Sequence, residues 1–418
     1  MKKNLFLVII VAFLSFSTVF AATQNSLEIF SWWTGGGEEE GLQALFHRFN
    51  EIYPDVHIIN AAVAGGAGTN AKAVLKTRML GGNPPDSFQV HAGMELIDTY
   101  VIPGLMEPLT NYLKQWGVYD KFPKDVIEIC SYKGNVYSIP VNVHRGNVVF
   151  YNKKIFKKLG ITKEPTTWAE FFADLKKAKN AGYIGLALGD KNKWTATHLF
   201  ENIMLSNFGP EGYKGLFDGK TSFDSPELEM SLIILKRLMP YFNRDHSALT
   251  WQDAGRLVYS GKALFNVMGD WEEGYFKTLG WKPGVDFGWF ALPGTSKAFM
   301  FISDTFGLPK NAPHRANALK WLKFISSEEA QDIFNPIKGS IPSRIDADKS
   351  KYDIYLRWSM NDFTSVAVDP SIAHGSAAPE GFVTSLNDTL NRFLVKQDIN
   401  EAIKEIKWAA DDQGYVTD

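Results

Sequence analysis

The chain has 418 residues, 44 Lys plus Arg against 46 Asp plus Glu, a formal charge of −2 at pH 7 and one cysteine, Cys130. That balance gives no general attraction for nucleic acid or anionic lipid, and a lone cysteine excludes an internal disulfide and a zinc-ribbon metal site. Stability must therefore come from a large apolar core, and the length allows two or three domain-sized units.

The first residues, Met1-Lys2-Lys3, precede an apolar run from Leu5 to Phe20 that ends in Ala21-Ala22. A positive start, a short apolar middle and small residues at a cut site predict a secretory signal peptide over 1–21. Losing Lys2 and Lys3 takes the formal charge from −2 to −4. Nothing later reads as a membrane span, so the mature chain is expected in the periplasm or secreted, without membrane insertion.

Residues 27–31 read as a strand and lead into Trp32-Trp33 and a glycine turn, Gly35-Gly36-Gly37. Two large rings before a tight turn either meet a ligand or fill the core, and glycines permit close approach of a ligand or another chain. Residues 38–53 follow as a helix, with Leu42, Leu45, Phe46, Phe49 and Ile52 at helical spacing. A strand over 56–62, a helix over 71–80 stopped by Gly81-Gly82, and a strand over 87–91 complete a β-α-β-α-β order. This predicts an α/β fold with a mainly parallel sheet flanked by helices.

The pattern restarts downstream. Residues 136–140 and 148–151 read as extended, Thr167 caps a helix over 168–180, and 184–188 is a strand. The span 197–260 is mostly helical, 263–268 and 287–291 are strands, 299–308 is extended, and 314–326 and 380–410 are helical. Two α/β units with the chain crossing between them fit best, with crossings near 141–144, 300–304 and 350.

Enzyme signatures fail in turn. The histidines at 47, 57, 91, 144, 198, 246, 314 and 374 lie too far apart to form a helical ligand pair. There is no Gly-x-Ser-x-Gly elbow. The segment 65–72, Gly-Gly-Ala-Gly-Thr-Asn-Ala-Lys, lacks the Gly-Lys-Ser/Thr of a phosphate loop and reads as a turn before a helix. Glu38-Glu39-Glu40 suit a helix first turn, where the backbone dipole favours acids. What remains is a scatter of polar and aromatic residues near strand ends: Gln89 and His91 on one strand face, Trp251, Asp270-Trp271, Asp304, Lys338 and His374. In open α/β folds ligands bind at the carboxyl ends of strands. Polar groups to pair with hydroxyls and ring faces to cover a pyranose make a sugar site.

The segments 29–33, 73–82, 84–86, 89–96, 151–153, 265–271 and 303–309 resemble the sugar-binding components of ABC importers, the extracellular solute-binding proteins similar to the maltose-binding protein. The nearer resemblance, on 89–96, 265–271 and 335–340, is to glucose/galactose-binding members known from thermophilic bacteria. It implies a two-lobed type II periplasmic binding protein fold with a hinge crossed several times. The expected division is 22–142 plus 303–350 and 143–302 plus 351–418. It also implies a sugar pocket lined by Trp32, Trp33, Gln89, His91, Trp251, Trp271, Asp304, Lys338 and His374. A glutamate after the tandem tryptophan joins them in that branch; the longer turn here leaves Glu38 with Glu39 as its rival. The implied function is capture of a monosaccharide, glucose before galactose or mannose, by hinge closure and delivery to a membrane permease. The protein is expected to act as a monomer, without cofactor, metal or catalysis. Two alternatives stand: a disaccharide or oligosaccharide binder, and a secreted glycoside hydrolase using Asp304 with a glutamate from 38–40.

Overall fold

The structure, a computed structural model, describes residues 25–415. The expected signal peptide over 1–21 lies outside the described residues. No helix among the described residues is long and apolar enough to cross a membrane.

The β-α-β-α-β start forms as its pattern requires. Strands Ser26–Phe30, His57–Asn60 and Ser87–His91 pair in parallel, with Gly36–Ile52 and Thr69–Leu80 as the connecting helices. Leu42, Leu45, Phe46 and Phe49 are buried on the inner face of the first helix, as the spacing predicted, whereas Ile52, the fifth residue of that spacing, is exposed at the helix's last turn. This sheet is finished by two distant strands, in the order His57–Asn60, Ser26–Phe30, Ser87–His91, Asp304–Gly307, Ser138–Pro140. The second sheet runs Phe287–Ala291, Val148–Asn152, Ala263–Met268, Ile184–Ala187.

Both sheets are mixed, which corrects the expectation of mainly parallel ones. Asp304–Gly307 lies antiparallel to both its neighbours, and so does Val148–Asn152. The β-α-β rhythm reports only strands joined by a covering helix. Where the chain enters a lobe from the other one, no helix dictates the direction of the strand.

The stretch over 299–308 is two strands. Ala298–Ile302 belongs to a three-stranded sheet with His144–Arg145 and Ala367–Pro370, and Asp304–Gly307 closes the first large sheet. Ser303 is the step between them. Its hydroxyl donates to the Asn142 carbonyl at 2.6 Å, tying two crossing segments together. The helical tail is also two helices, Glu380–Lys396 and Ile399–Asp412, divided where Gln397 takes φ 57°. Thr167 caps Trp168–Asn180 in a reciprocal box with Glu170.

One apolar core gathers Leu27, Phe49, Phe88, Phe306 and Trp321 under the first sheet. A second gathers Phe171, Leu199, Phe265, Met300 and Leu390 under the other. A third gathers Phe150, Phe299 and Tyr355 with Trp194, Trp251 and Trp271. The result is a two-lobed α/β architecture with its cleft between the lobes.

Candidate functional site

A cavity with about 360 Å³ not filled by protein atoms lies at the carboxyl ends of the strands, between the lobes. It is lined by Trp32, Glu38, His91, Trp251, Trp271, Asp304, Lys338 and His374, eight of the ten residues expected from sequence. Glu38 is the lining glutamate, whereas Glu39 is exposed.

The other two expected residues stand behind the lining. Gln89 is 1% exposed; its Nε2 donates to Asp304 Oδ1 at 2.8 Å and its Oε1 accepts from the Trp32 backbone N–H at 3.1 Å. Gln89 therefore aims a carboxylate and a ring into the cavity. Trp33 packs on Phe334 and Phe306, with ring centroids 4.8 and 5.6 Å away. The pair lies just past strand Ser26–Phe30, and the two indoles part there: that of Trp32 reaches the cavity and that of Trp33 wedges into the core.

The glycine turn after them meets protein. A Cβ at Gly37 would lie 2.5 Å from the Ile337 carbonyl oxygen, and one at Gly274 would lie 2.3 Å from that of Lys338. These glycines let helices Gly36–Ile52 and Trp271–Thr278 and the end of Glu328–Lys338 meet at the cavity wall. The contact brings Lys338 inward, 1% exposed, with Nζ 2.8 Å from Glu38 Oε1 and about 6 Å from the ring centres of Trp33 and Trp271.

The polar centre is Asp304. Its carboxylate accepts from Gln89, from Asn142 Nδ2 at 2.8 Å and from His144 Nε2 at 3.1 Å. Burial alone would raise its pKa. The His144 hydrogen bond and charge, with Lys338 and His91, win and hold it far below the usual carboxylate range. His144 donates its other ring nitrogen to Asp270, whose second oxygen accepts from the Arg145 N–H at 3.1 Å. Burial lowers the pKa of His144, but Asp270 and Asp304 on either side raise it more. His144 thus bridges Asp304 of the first sheet and Asp270 beyond the second, whose own pKa burial pushes up.

His91 Nδ1 lies 2.8 Å from Glu95 Oε2, which Lys72 Nζ also reaches at 2.6 Å. The Trp32 ring centre stands 4.9 Å from that of His91. His374 is enclosed by Trp194, Trp271, His91 and His198, with centroids 5.1 to 5.4 Å away. Burial, then the neighbouring His198 and His91, push its pKa well below normal, so it is neutral. The Ser371 hydroxyl proton goes to Glu201 at 2.9 Å, so Ser371 Oγ accepts from His374 Nδ1 at 3.0 Å and Nε2 is left as an acceptor.

Among the described residues one group could share a cation, His198, Glu201 and His374, with ligand atoms within 4.8 Å of one another. Its carboxylate is already committed to Ser371 Oγ and to the N–H groups of Ile372 and Ala373 at 2.6 and 2.9 Å. The group serves to hold the turn that presents His374.

Sequence reasoning did not assign His144, Trp194, Ile302 and Ala67 to the site, yet all four line the cavity. His144 lay within an expected crossing, and a charged residue at a crossing was the available signal. Trp194 and Ala67 carry no local signal, because each reaches the cavity only through contacts with distant segments.

The family model for bacterial extracellular solute-binding proteins matches residues 35–332. An uncharacterized ABC transporter extracellular-binding protein of Pyrococcus horikoshii is 42% identical over 385 residues, 91% of this chain and 86% of the relative. A xylose/arabinose-binding protein of Haloferax volcanii is 30% identical, over 84% of this chain and 77% of its own length. Among solved structures, the bacterial solute receptor AcbH, described as preferring β-D-galactopyranose, superimposes with a TM-score of 0.81 at 19% identity, covering 94% of this chain and 98% of that one. At that identity the likeness speaks for the fold.

Proposed function

This chain belongs to the bacterial extracellular solute-binding proteins, as a sugar-binding component of an ABC importer, and on that premise we propose that it captures a monosaccharide, glucose first and galactose or mannose second. The observation that carries the reading is the pairing, in one small buried cavity, of indole faces from Trp32, Trp251 and Trp271 with the charged groups of Asp304, Lys338 and Glu38. Rings cover the C–H faces of a pyranose, and charged groups take its hydroxyls. An epimer would leave one buried charge unpaired, at about 1–3 kcal/mol. A ligand touching both lobes favours the closed arrangement, and hinge closure of this kind is a known mode of periplasmic binding proteins. Delivery to a permease follows from the family.

We propose that the lobes divide as 22–142 with 303–350 and 143–302 with 351–418, which the membership of the two largest cores supports, the third joining Val126 and Ile341 of the first lobe to residues of the second. A pentose-binding relative favours a single-ring ligand over an oligosaccharide. Hydrolysis fits poorly: a glycosidase needs one carboxyl free to give a proton to the leaving oxygen, and both candidates are engaged as acceptors, Asp304 from Gln89, Asn142 and His144 and Glu38 from Lys338 at 2.8 Å.

Isothermal titration against a panel of aldohexoses is the test. The expected result is one site with Kd near micromolar, roughly −8 kcal/mol. No monosaccharide binding tighter than millimolar would refute the assignment.

A further inference from the structure

The acid behind His374 does more than hold a turn. Glu201 sits on helix Trp194–Asp218, 0% exposed, and faces the turn that follows strand Ala367–Pro370. Its Oε2 accepts from the N–H groups of Ile372 and Ala373, and both its oxygens lie within 3.0 Å of Ser371 Oγ. Burying a charge is costly, and a glutamine oxygen would hold the same two N–H groups without one. What a carboxylate supplies and an amide cannot is acceptance at both oxygens.

That property sets the direction of each hydrogen bond on the way to the cavity. Ser371 has one hydroxyl proton and two lone pairs. Glu201 accepts, so the proton goes to it. The lone pairs then take the backbone N–H of His374 at 3.2 Å and its ring Nδ1–H at 3.0 Å. His374 is neutral, because burial and the neighbouring His198 and His91 hold its pKa well below normal, so only one ring nitrogen carries a proton. Nε2 keeps its lone pair, without a partner among the described residues, on a side chain that lines the cavity. His198 Nδ1, 3.2 Å from Glu201 Oε1, fits the same scheme as a donor.

We propose that Glu201, acting through Ser371, is a specificity-determining positioning residue: it locks His374 in the Nδ1–H tautomer, so that the site demands a hydroxyl that donates a hydrogen bond to Nε2. The proposal rests on the reading that the cavity holds a sugar. The carboxylates of Asp304 and Glu38 accept whatever the state of this turn, whereas Nε2 accepts only because the ring proton is held on the other side. A substituent that can accept but not donate leaves the Nε2 lone pair buried and unmatched. Glu201→Gln reverses the relay with little change of shape. The amide oxygen keeps the two backbone N–H groups, the amide nitrogen donates to Ser371 Oγ, the hydroxyl proton turns to Nδ1, and the ring proton moves to Nε2.

Two measurements test it. Nitrogen NMR of the isotope-labelled free protein shows which ring nitrogen is protonated, with the His374 signals identified by their loss in His374→Gln. Calorimetric titration compares glucose with the deoxyfluoroglucoses, each carrying fluorine, which accepts but does not donate, in place of one non-anomeric hydroxyl. In wild type the proton is expected on Nδ1, and fluorine at the ring position facing His374 should weaken binding by roughly 5- to 150-fold. Glu201→Gln should move the proton to Nε2 and cut that penalty to about twofold or less, leaving the penalties at other positions in place. Ser371→Ala removes the acceptor of Nδ1 and should act in the same way; two variants, checked by circular dichroism, guard against one failing to fold. A proton on Nε2 in wild type overturns the proposal, and so does a fluorine penalty unchanged in both folded variants. A uniform loss of affinity for glucose and all its analogues also overturns it, reducing Glu201 to a support for the turn. A wild type that binds no monosaccharide tighter than millimolar overturns the sugar reading and the demand for a donor with it, while the proton positions still decide the tautomer.

Discussion

Asp304→Asn is the most informative substitution, because it keeps shape and removes one charge at the polar centre. The carboxylate accepts from Gln89, Asn142 and His144, all side-chain donors within 3.1 Å. An amide offers one acceptor oxygen and turns an N–H₂ toward at least one of those donors. His144 keeps Asp270 but loses its second carboxylate. Breaking a buried ion pair costs about 3–5 kcal/mol of stability. Loss of a charged hydrogen bond to a sugar hydroxyl costs a further 1.5–3 kcal/mol of affinity, roughly 10- to 150-fold in Kd. The pH dependence has a definite sign. Asp304 is depressed in the folded state, so its contribution is present above the unfolded value near 3.9 and is lost as pH falls below it. Guanidinium unfolding from pH 3 to 8, with glucose titration at pH 7, should show a stability gap between wild type and variant that is full at neutral pH and shrinks below about pH 4. Equal glucose affinity in the two proteins, or a gap independent of pH, would refute the account of this network.

Three further outcomes are expected. Lys338→Met leaves Glu38 without its 2.8 Å partner beside the cavity; titration should show at least about tenfold weaker sugar binding, with unchanged circular dichroism. Gly274→Val places side-chain atoms where the Lys338 carbonyl already lies 2.3 Å from a Cβ; sugar-induced quenching of tryptophan fluorescence should be lost while secondary structure is retained. Glu272 is fully buried away from the cavity lining and is pushed up to about 8, with one hydrogen bond from Asn266 at 2.9 Å. A raised folded pKa makes the wild type lose stability as pH climbs from about 4.3 toward 8. Glu272→Gln should therefore gain on the order of 2–4 kcal/mol relative to wild type at pH 8 and little at pH 4, read from thermal unfolding at both.

Local features of the chain were legible in advance. The helical spacing of Leu42, Leu45, Phe46 and Phe49, the cap at Thr167 and the strand-end position of Gln89 and His91 follow from chemistry between near neighbours. That is enough to establish an α/β chain, and the motif resemblance added the sugar-binding family. The division of labour within the site was not legible. Gln89 and Asp304 are 215 residues apart, and only their pairing in one sheet makes Gln89 a support for the carboxylate instead of part of the cavity lining. Trp32 and Trp33 are adjacent and chemically identical, yet one faces the cavity and the other Phe334. The three glycines looked placed for a ligand, and Gly37 in fact admits the Ile337 carbonyl. Ala67 and Trp194 become site residues only because two lobes, assembled from interleaved segments, bring them to one mouth. Short-range forces set each element from its own residues; which side chains share a cavity depends on long-range pairing that no local pattern encodes.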